Sequence, residues 1–346
     1  MSGLHRDVRW ALVAVALLAA FPAAASARRS RPVNRAAVVT GPVVIRSGPL
    51  AGGWLGIAAA GRPGIADTSR SSAAVDLAFR EATRIADLTD PGAPTGELAR
   101  LNQAGTERFA CSPDLYDALS AAVAIAAETD GAYDPTCGPL LRARDSVSDV
   151  PAVLRVGWRM LALDAGTRAA RFTRPGMSLE LGPARCGWIL DRAAAALRER
   201  GVPRARLELG GTVLAFTIHE PWQVTIPDPR GRDAMNLLLA NAAVGLASSG
   251  VPAPAGSARV LDPRTGQPPP WLASLAVVAR PAARAQALAQ ALLVMGRDGA
   301  EAFVRSHPEV GVLWLESGQD GLRAWAWNLG RTEPAAGLRV EWMTEP

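Results

Sequence analysis

Lysine is missing from this chain altogether. All 37 basic residues are arginine, which removes lysine bases, Schiff-base chemistry and the phosphate-binding lysine of Walker-type loops. Histidine is nearly as scarce: His5, His219 and His307 are dispersed, and His5 sits in a segment with the features of an export signal. Only Cys111, Cys137 and Cys186 are present, and no Cys-x-x-Cys pair occurs. A zinc site is thereby excluded, and the odd count leaves at least one thiol free or paired between molecules.

What is there suits a globular fold. With 346 residues and 49% apolar content, the chain can bury a core and makes one large or two ordinary domains. The formal charge is +5, but the arginines are interspersed with 32 acids rather than massed in a stripe. A mixed solvated surface follows, and no nucleic-acid partner is expected.

Arg6 and Arg9 precede an almost wholly apolar run at 10–22, and Ala25-Ser26-Ala27 supplies a small-x-small cleavage site. Residues 1–27 are therefore expected to be a secretory signal peptide. The run is short for a spanning helix. Removal is expected, leaving an exported, periplasmic chain that begins near Arg28 and has no stable membrane span; an uncleaved anchor is the alternative.

Residues 28–49 form a lead segment into a first strand. Apolar periodicity predicts a helix over 71–88, stopped by Asp90-Pro91-Gly92. A turn or short helix follows at 97–102. Ser112 as cap and Pro113 in the first turn start a helix that runs to Thr129. Strands are expected at 154–163 and 169–172, an amphipathic helix at 187–201, and a strand pair, 206–209 with 213–218, about the Gly210-Gly211 turn. Further strands are expected at 223–226, 242–247 and 272–279. A strongly apolar helix at 284–296 and a hairpin of 310–316 with 322–328 complete the set, with 267–270 as a surface loop. Strands in runs interrupted by a few long helices indicate an α+β class.

Three segments in fixed order carry chemistry: Asp130-Gly131-Ala132-Tyr133-Asp134-Pro135-Thr136, then Leu207-Glu208-Leu209-Gly210-Gly211, then Leu261-Asp262-Pro263-Arg264-Thr265-Gly266. Each sets an acidic or glycine-rich turn beside an apolar run, as where a backbone closely approaches a ligand. Together they resemble the ApbE-type FAD:protein FMN transferases over about residues 50–330. The resemblance implies a single T-fold-related domain at 50–330, with mixed and antiparallel sheets and a few long helices, followed by a tail at 331–346.

It also implies an activity: FAD is bound as a substrate, its pyrophosphate is cleaved with the help of Mg2+, and FMN passes to a threonine or serine hydroxyl of an exported acceptor protein. The acceptor is not identified by the sequence. By the same resemblance, Ala132, Tyr133, Asp134, Glu180, Cys186, Gly210, Gly211 and Val260 contact the flavin substrate, and the Pro183 carbonyl, Gln286 and Gln290 hold the metal. Alternatives stand beside these roles. The 132–134 segment also reads as a helix end and proline turn, Glu180 as a strand-end acid, the two glycines as a plain hairpin, and the two glutamines as a solvent-facing or helix-capping pair. Asp262 and Arg264 are read as fixing their own loop.

The chain departs from the family pattern at several positions. Cys186 stands where lysine or glutamate is usual, and Arg259 where a histidine is proposed to activate the acceptor hydroxyl; arginine stays protonated and cannot act as a base. Gln286 and Gln290 replace an aspartate and a threonine one helical turn apart, so the spacing is kept and the charge is lost. Trp54, near a usual Gly-Thr step, is expected to fill the pocket. The runner-up function is accordingly a catalytically impaired flavin-binding or interaction protein on the same fold.

Overall fold

A computed structural model describes residues 42–61, 68–143, 152–182, 184–218, 220–249, 260–318, 321–330, 332–334 and 338–344. The expected signal peptide, most of the lead segment, Pro183, His219 and Arg259 lie outside the described residues.

In chain order the elements are β1 (Val43–Leu50), β2 (Gly53–Ala60), α1 (Ser69–Leu88), α2 (Glu97–Ala104), β3 (Phe109–Ala110), α3 (Pro113–Glu128), α4 (Gly138–Arg142), β4 (Leu161–Asp164), β5 (Ala169–Phe172), α5 (Ala184–Glu199), β6 (Arg204–Leu209), β7 (Thr212–Thr217), β8 (Trp222–Pro227), β9 (Asp233–Leu239), β10 (Ala242–Ser248), β11 (Ala273–Ala279), α6 (Ala282–Ser306), β12 (Gly311–Gly318), β13 (Gly321–Trp327), β14 (Thr332–Pro334) and β15 (Val340–Trp342). The main sheet runs β1-β2-β6-β7-β10-β11-β12-β13-β15. Its pairs are antiparallel except the last, in which β15 runs parallel to β13.

Helices cover one face of this sheet. α1 turns Ala74, Val75, Ala78, Ala82 and Ile85 inward, and its small side chains let α5 lie close. A second sheet, β14-β9-β8, covers part of the other face. There Val224, Ile226, Met235 and Leu237 meet Val213, Val244, Ala276 and Leu313 in a second core. The result is three layers around two apolar interfaces. A small sheet, β3-β5-β4, lies beside the helical layer.

Local signals account for several boundaries. Ser112 Oγ accepts from Leu115 N at 3.3 Å and donates to Glu97 Oε2 at 2.6 Å, so the α3 cap is itself held by α2. Asp130 and Gly131 end α3 with positive φ (45° and 76°).

Other stretches differ from expectation. Residues 154–163 form 3-10 turns at Ala152–Arg155 and Trp158–Met160, with strand structure only from Leu161. The reason is competition for donors: Gly157 N bonds Thr136 Oγ1 and Trp158 N bonds Asp134 Oδ2, both at 2.8 Å, so those N–H groups are withheld from a ladder. The helix expected to end at Gly296 runs on to Ser306 with a break there (φ 81°, ψ 173°), against which the Trp271 indole packs. Within 331–346, β14 pairs with β9 and β15 with β13. Among the described residues no helix is long and apolar enough to cross a membrane.

Candidate functional site

The end of α3 leads straight into a cleft. Its wall is built from the turn residues Ala132, Tyr133 and Asp134, from Cys137 with Leu140 and Leu141 of α4, and from Glu180 and Gly182 ahead of α5. Leu261 and Pro263 close one side, and Gln290 reaches in from α6. The hollow encloses about 500 Å³ of non-atom space, including its open mouth, and its surface is mainly apolar with a few convergent polar groups, as small-molecule sites are.

The turn is held rigidly. Tyr133 N donates to Thr129 Oγ1 at 3.3 Å, and Tyr133 OH donates to Leu181 O at 3.2 Å. Burial holds this phenol well above the usual tyrosine range, so it stays neutral. Asp134 Oδ1 accepts from Thr136 N at 2.7 Å and from Thr136 Oγ1 at 2.6 Å, while Oδ2 takes Trp158 N. Both oxygens are therefore engaged within the loop, and Asp134 shapes the wall. Burial raises its pKa against the pull of those bonds.

Glu180 is the more available acid. One oxygen accepts from Gly182 N at 3.1 Å, and its own N–H bonds Pro135 O at 2.7 Å, which locks the 180–182 segment against the aspartate turn. Burial raises its pKa as well. Nearby, Asn102 clamps the same segment through Leu179, accepting from its N–H at 2.7 Å and donating to its carbonyl at 3.0 Å. Cys137 donates to Glu180 O at 3.7 Å, and burial pushes its thiol far above the ordinary range. It is a neutral apolar wall rather than a nucleophile.

The predicted site residues thus separate into two groups. Ala132, Tyr133, Asp134, Glu180 and Gln290 meet at the cleft. Cys186, Gly210, Gly211 and Gln286 do not line it and pack around the β6–β7 bend instead. At Gly210 (φ 56°) a Cβ would come within 2.6 Å of Cys186 Sγ, so thiol and bend fill each other's space. Burial pushes the Cys186 thiol up to about 11, leaving no thiolate to replace a missing charge. Cys111, Cys137 and Cys186 are all free of disulfides.

Gln286 is neither solvent-facing nor a helix cap. It is 2% exposed, with Oε1 accepting from Thr212 Oγ1 and Leu246 N, each at 3.0 Å, and Nε2 donating to Leu246 O at 2.9 Å. Val260 is half-buried against the main core beside the cleft wall. Trp54 does not fill the pocket: it stands 39% exposed opposite Pro49 in the β1–β2 hairpin, because β2 pairing turns its side chain away from the helical layer. Asp262 does fix its own loop, accepting from Arg264 N at 2.9 Å and Nε at 2.8 Å.

Sequence reasoning missed Leu140, Leu141, Gly182, Leu261 and Pro263 as wall residues, although the runs that flank the aspartate turn and the Leu-Asp-Pro segment were the available signal. It also missed Asp191. This α5 side chain accepts from Ala282 N at 2.9 Å and Ala283 N at 3.0 Å, capping α6 from outside. The helix has no side-chain cap of its own, since Pro281 precedes it. Desolvation pushes the Asp191 carboxyl up to about 6 despite these two donors.

This layered fold is shared by solved structures of ApbE proteins. It superposes on the flavin transferase ApbE from Vibrio cholerae with a TM-score of 0.70 and 25% identity, covering 83% of this chain and 98% of that one. The ApbE protein of Thermotoga maritima has the same fold, with a TM-score of 0.69 at 22% identity, covering 85% of this chain and 97% of that one. The model of the ApbE family matches residues 60–314, and the chain belongs to that family. Among curated relatives, the FAD:protein FMN transferase of Vibrio cholerae serotype O1 is 25% identical over 304 residues, 81% of this chain and 89% of that protein. The FAD:protein FMN transferase of Rhodobacter capsulatus is 30% identical over 224 residues, covering 59% of this chain and 43% of that protein.

Proposed function

We propose that this chain is an exported FAD:protein FMN transferase whose substrate FAD occupies the cleft between the 132–134 turn, α4 and Gln290. The observation that carries the reading is the convergence of Ala132, Tyr133, Asp134, Glu180 and Gln290 on one mainly apolar hollow inside the family-matched region. In the reaction, a threonine or serine oxygen of the acceptor protein forms a bond to the phosphorus on the FMN side of the pyrophosphate. The P–O–P bridge breaks, AMP leaves, and the hydroxyl proton passes to solvent. The chain's residues supply positioning and exclusion of water, positioning being one of the two main requirements of phosphoryl transfer beside neutralisation of charge. Leu140 and Leu141 offer apolar contact, the neutral Tyr133 keeps the turn in place, and Glu180 has an oxygen able to accept from the substrate.

Gln286 and Gln290 do not fit the Mg2+ that the resemblance places on them. Both lone-pair positions of Gln286 Oε1 are taken by Thr212 and Leu246, Gln290 is neutral, and among the described residues no group of three His, Cys, Asp or Glu side chains could hold a metal ion. Magnesium ordinarily takes at least one carboxylate beside substrate phosphates. The same observation favours a second reading, in which the chain holds or presents FAD without turnover.

The test is to incubate the purified mature chain with FAD and threonine-containing acceptor polypeptides, then measure covalent flavin fluorescence on the acceptor and AMP release. Equimolar labelling and AMP support transfer. Bound FAD, seen by absorbance, without label selects the second reading, and no bound FAD overturns both.

A further inference from the structure

We infer that Gln286 is a structural clamp at the position where the family resemblance puts a metal-binding carboxylate, and that this chain engages its ligand without a divalent cation held by Gln286 and Gln290. The inference rests on the reading of the cleft as a flavin site.

Leu246 presents a donor and an acceptor on the same side of β10. Its N–H is shared between Gly211 O and Gln286 Oε1, both at 3.0 Å, and its carbonyl accepts from Gln286 Nε2 at 2.9 Å. The glutamine amide thus makes with Leu246 the two-bond pairing that a neighbouring strand would make. A side chain must carry a donor and an acceptor side by side to do so. A carboxylate there would set oxygen against the Leu246 carbonyl, with like polarity, in a buried place. Thr212 Oγ1 completes the set, donating to Oε1 at 3.0 Å.

The helix lies directly against the strand at this amide. At Gly245 a Cβ would lie 2.4 Å from Ala285 O and 2.5 Å from Gln286 Cα, so α6 and β10 are already in backbone contact. With these bonds made, the Gln286 oxygen has no lone pair left for a cation, and releasing it would leave Thr212 Oγ1 and the Leu246 carbonyl without this partner. Of the other cleft groups, Glu180 keeps one oxygen free among the described residues, but that acid is not on α6 and neither glutamine offers a cation a charged ligand. Asp134 spends both oxygens on loop donors, and Gln290 brings no charge to the cleft.

The experiment uses the purified chain, FAD, and Mn2+ as a spectroscopic stand-in for Mg2+. FAD affinity is measured by fluorescence titration in Mg2+ and in EDTA, and bound Mn2+ by electron paramagnetic resonance with and without FAD. Wild type, Gln286→Leu, Gln290→Leu and Thr212→Val are compared, the last removing one clamp bond at nearly constant shape. We expect FAD affinity in the two buffers to agree within about twofold, and no Mn2+ binding that depends on Gln286 or Gln290. Gln286→Leu and, to a smaller degree, Thr212→Val should lower the Tm equally with and without metal. Mn2+ binding that survives both glutamine substitutions lies elsewhere and leaves the clamp standing.

The inference is overturned if Mg2+ tightens FAD binding about tenfold or more and Gln286→Leu or Gln290→Leu removes that gain. Unchanged Tm in both Gln286→Leu and Thr212→Val also overturns it. If FAD binds in neither buffer, the flavin reading falls, and Mn2+ alone decides the clamp: stoichiometric Mn2+ lost on substituting either glutamine refutes it, and its absence upholds it.

Discussion

The buried carboxylates of this protein act mainly on their own backbone. Asp134 ties the cleft turn to residues 136 and 158, and Asp191 caps a helix from outside. Asp191 also has a measurable signature. Its pKa is about 6 in the folded protein, above the ordinary aspartate value near 3.8, so between those values the native state holds a proton that the unfolded chain has released. The sign follows directly: the stabilisation is fully present below about pH 4 and is lost as pH rises through about 6. This group alone should make the protein about 2 kcal/mol less stable at pH 8 than at pH 4. Urea unfolding across that range should show a steeper loss of stability in wild type than in Asp191→Asn, the other raised carboxylates contributing equally to both. Parallel profiles for the two proteins would refute the assignment. None of this was legible in the sequence, where Asp191 is one more acid on an amphipathic helix.

At the scale of elements, the site depends on how closely α6 lies on the sheet. Helix and strand were both foreseeable from periodicity, since 284–296 and 242–247 carry strong apolar patterns. Their separation was not, because it is set by the missing side chain of one glycine. Gly245→Ala must push Ala285 O off the strand and pull Gln286 from Leu246. We expect a loss of about 2–3 kcal/mol, read as a lower urea midpoint with an unchanged m-value; wild-type stability in this variant would contradict the close approach. Strands β2 and β9 escaped the sequence reading for a related reason. Gly-Trp-Leu-Gly-Ile-Ala-Ala-Ala and Asp-Ala-Met-Asn-Leu-Leu-Leu have little β-branched content, and only pairing with β1, β6, β8 and β14 makes them strands.

Across the whole molecule, helices on one face of the main sheet and the β8–β9–β14 sheet on the other leave the α3 turn, α4 and the middle of α6 converging on one hollow. Leu140 is half-buried in its wall, so Leu140→Trp should narrow the space without disturbing either core. FAD affinity should fall about tenfold or more while the Tm moves by only a few degrees; undiminished affinity would place the flavin elsewhere. The sequence by itself determined the α+β class and the order of motifs that marks the family, because these are properties of local spacing and side-chain chemistry. The tertiary structure alone decided that Gln286, Cys186 and the double-glycine bend lie outside the cleft wall, and that a buried amide bonds to Leu246. Those outcomes depend on distances between segments remote in the chain, which packing of backbone against backbone fixes and which no local pattern encodes.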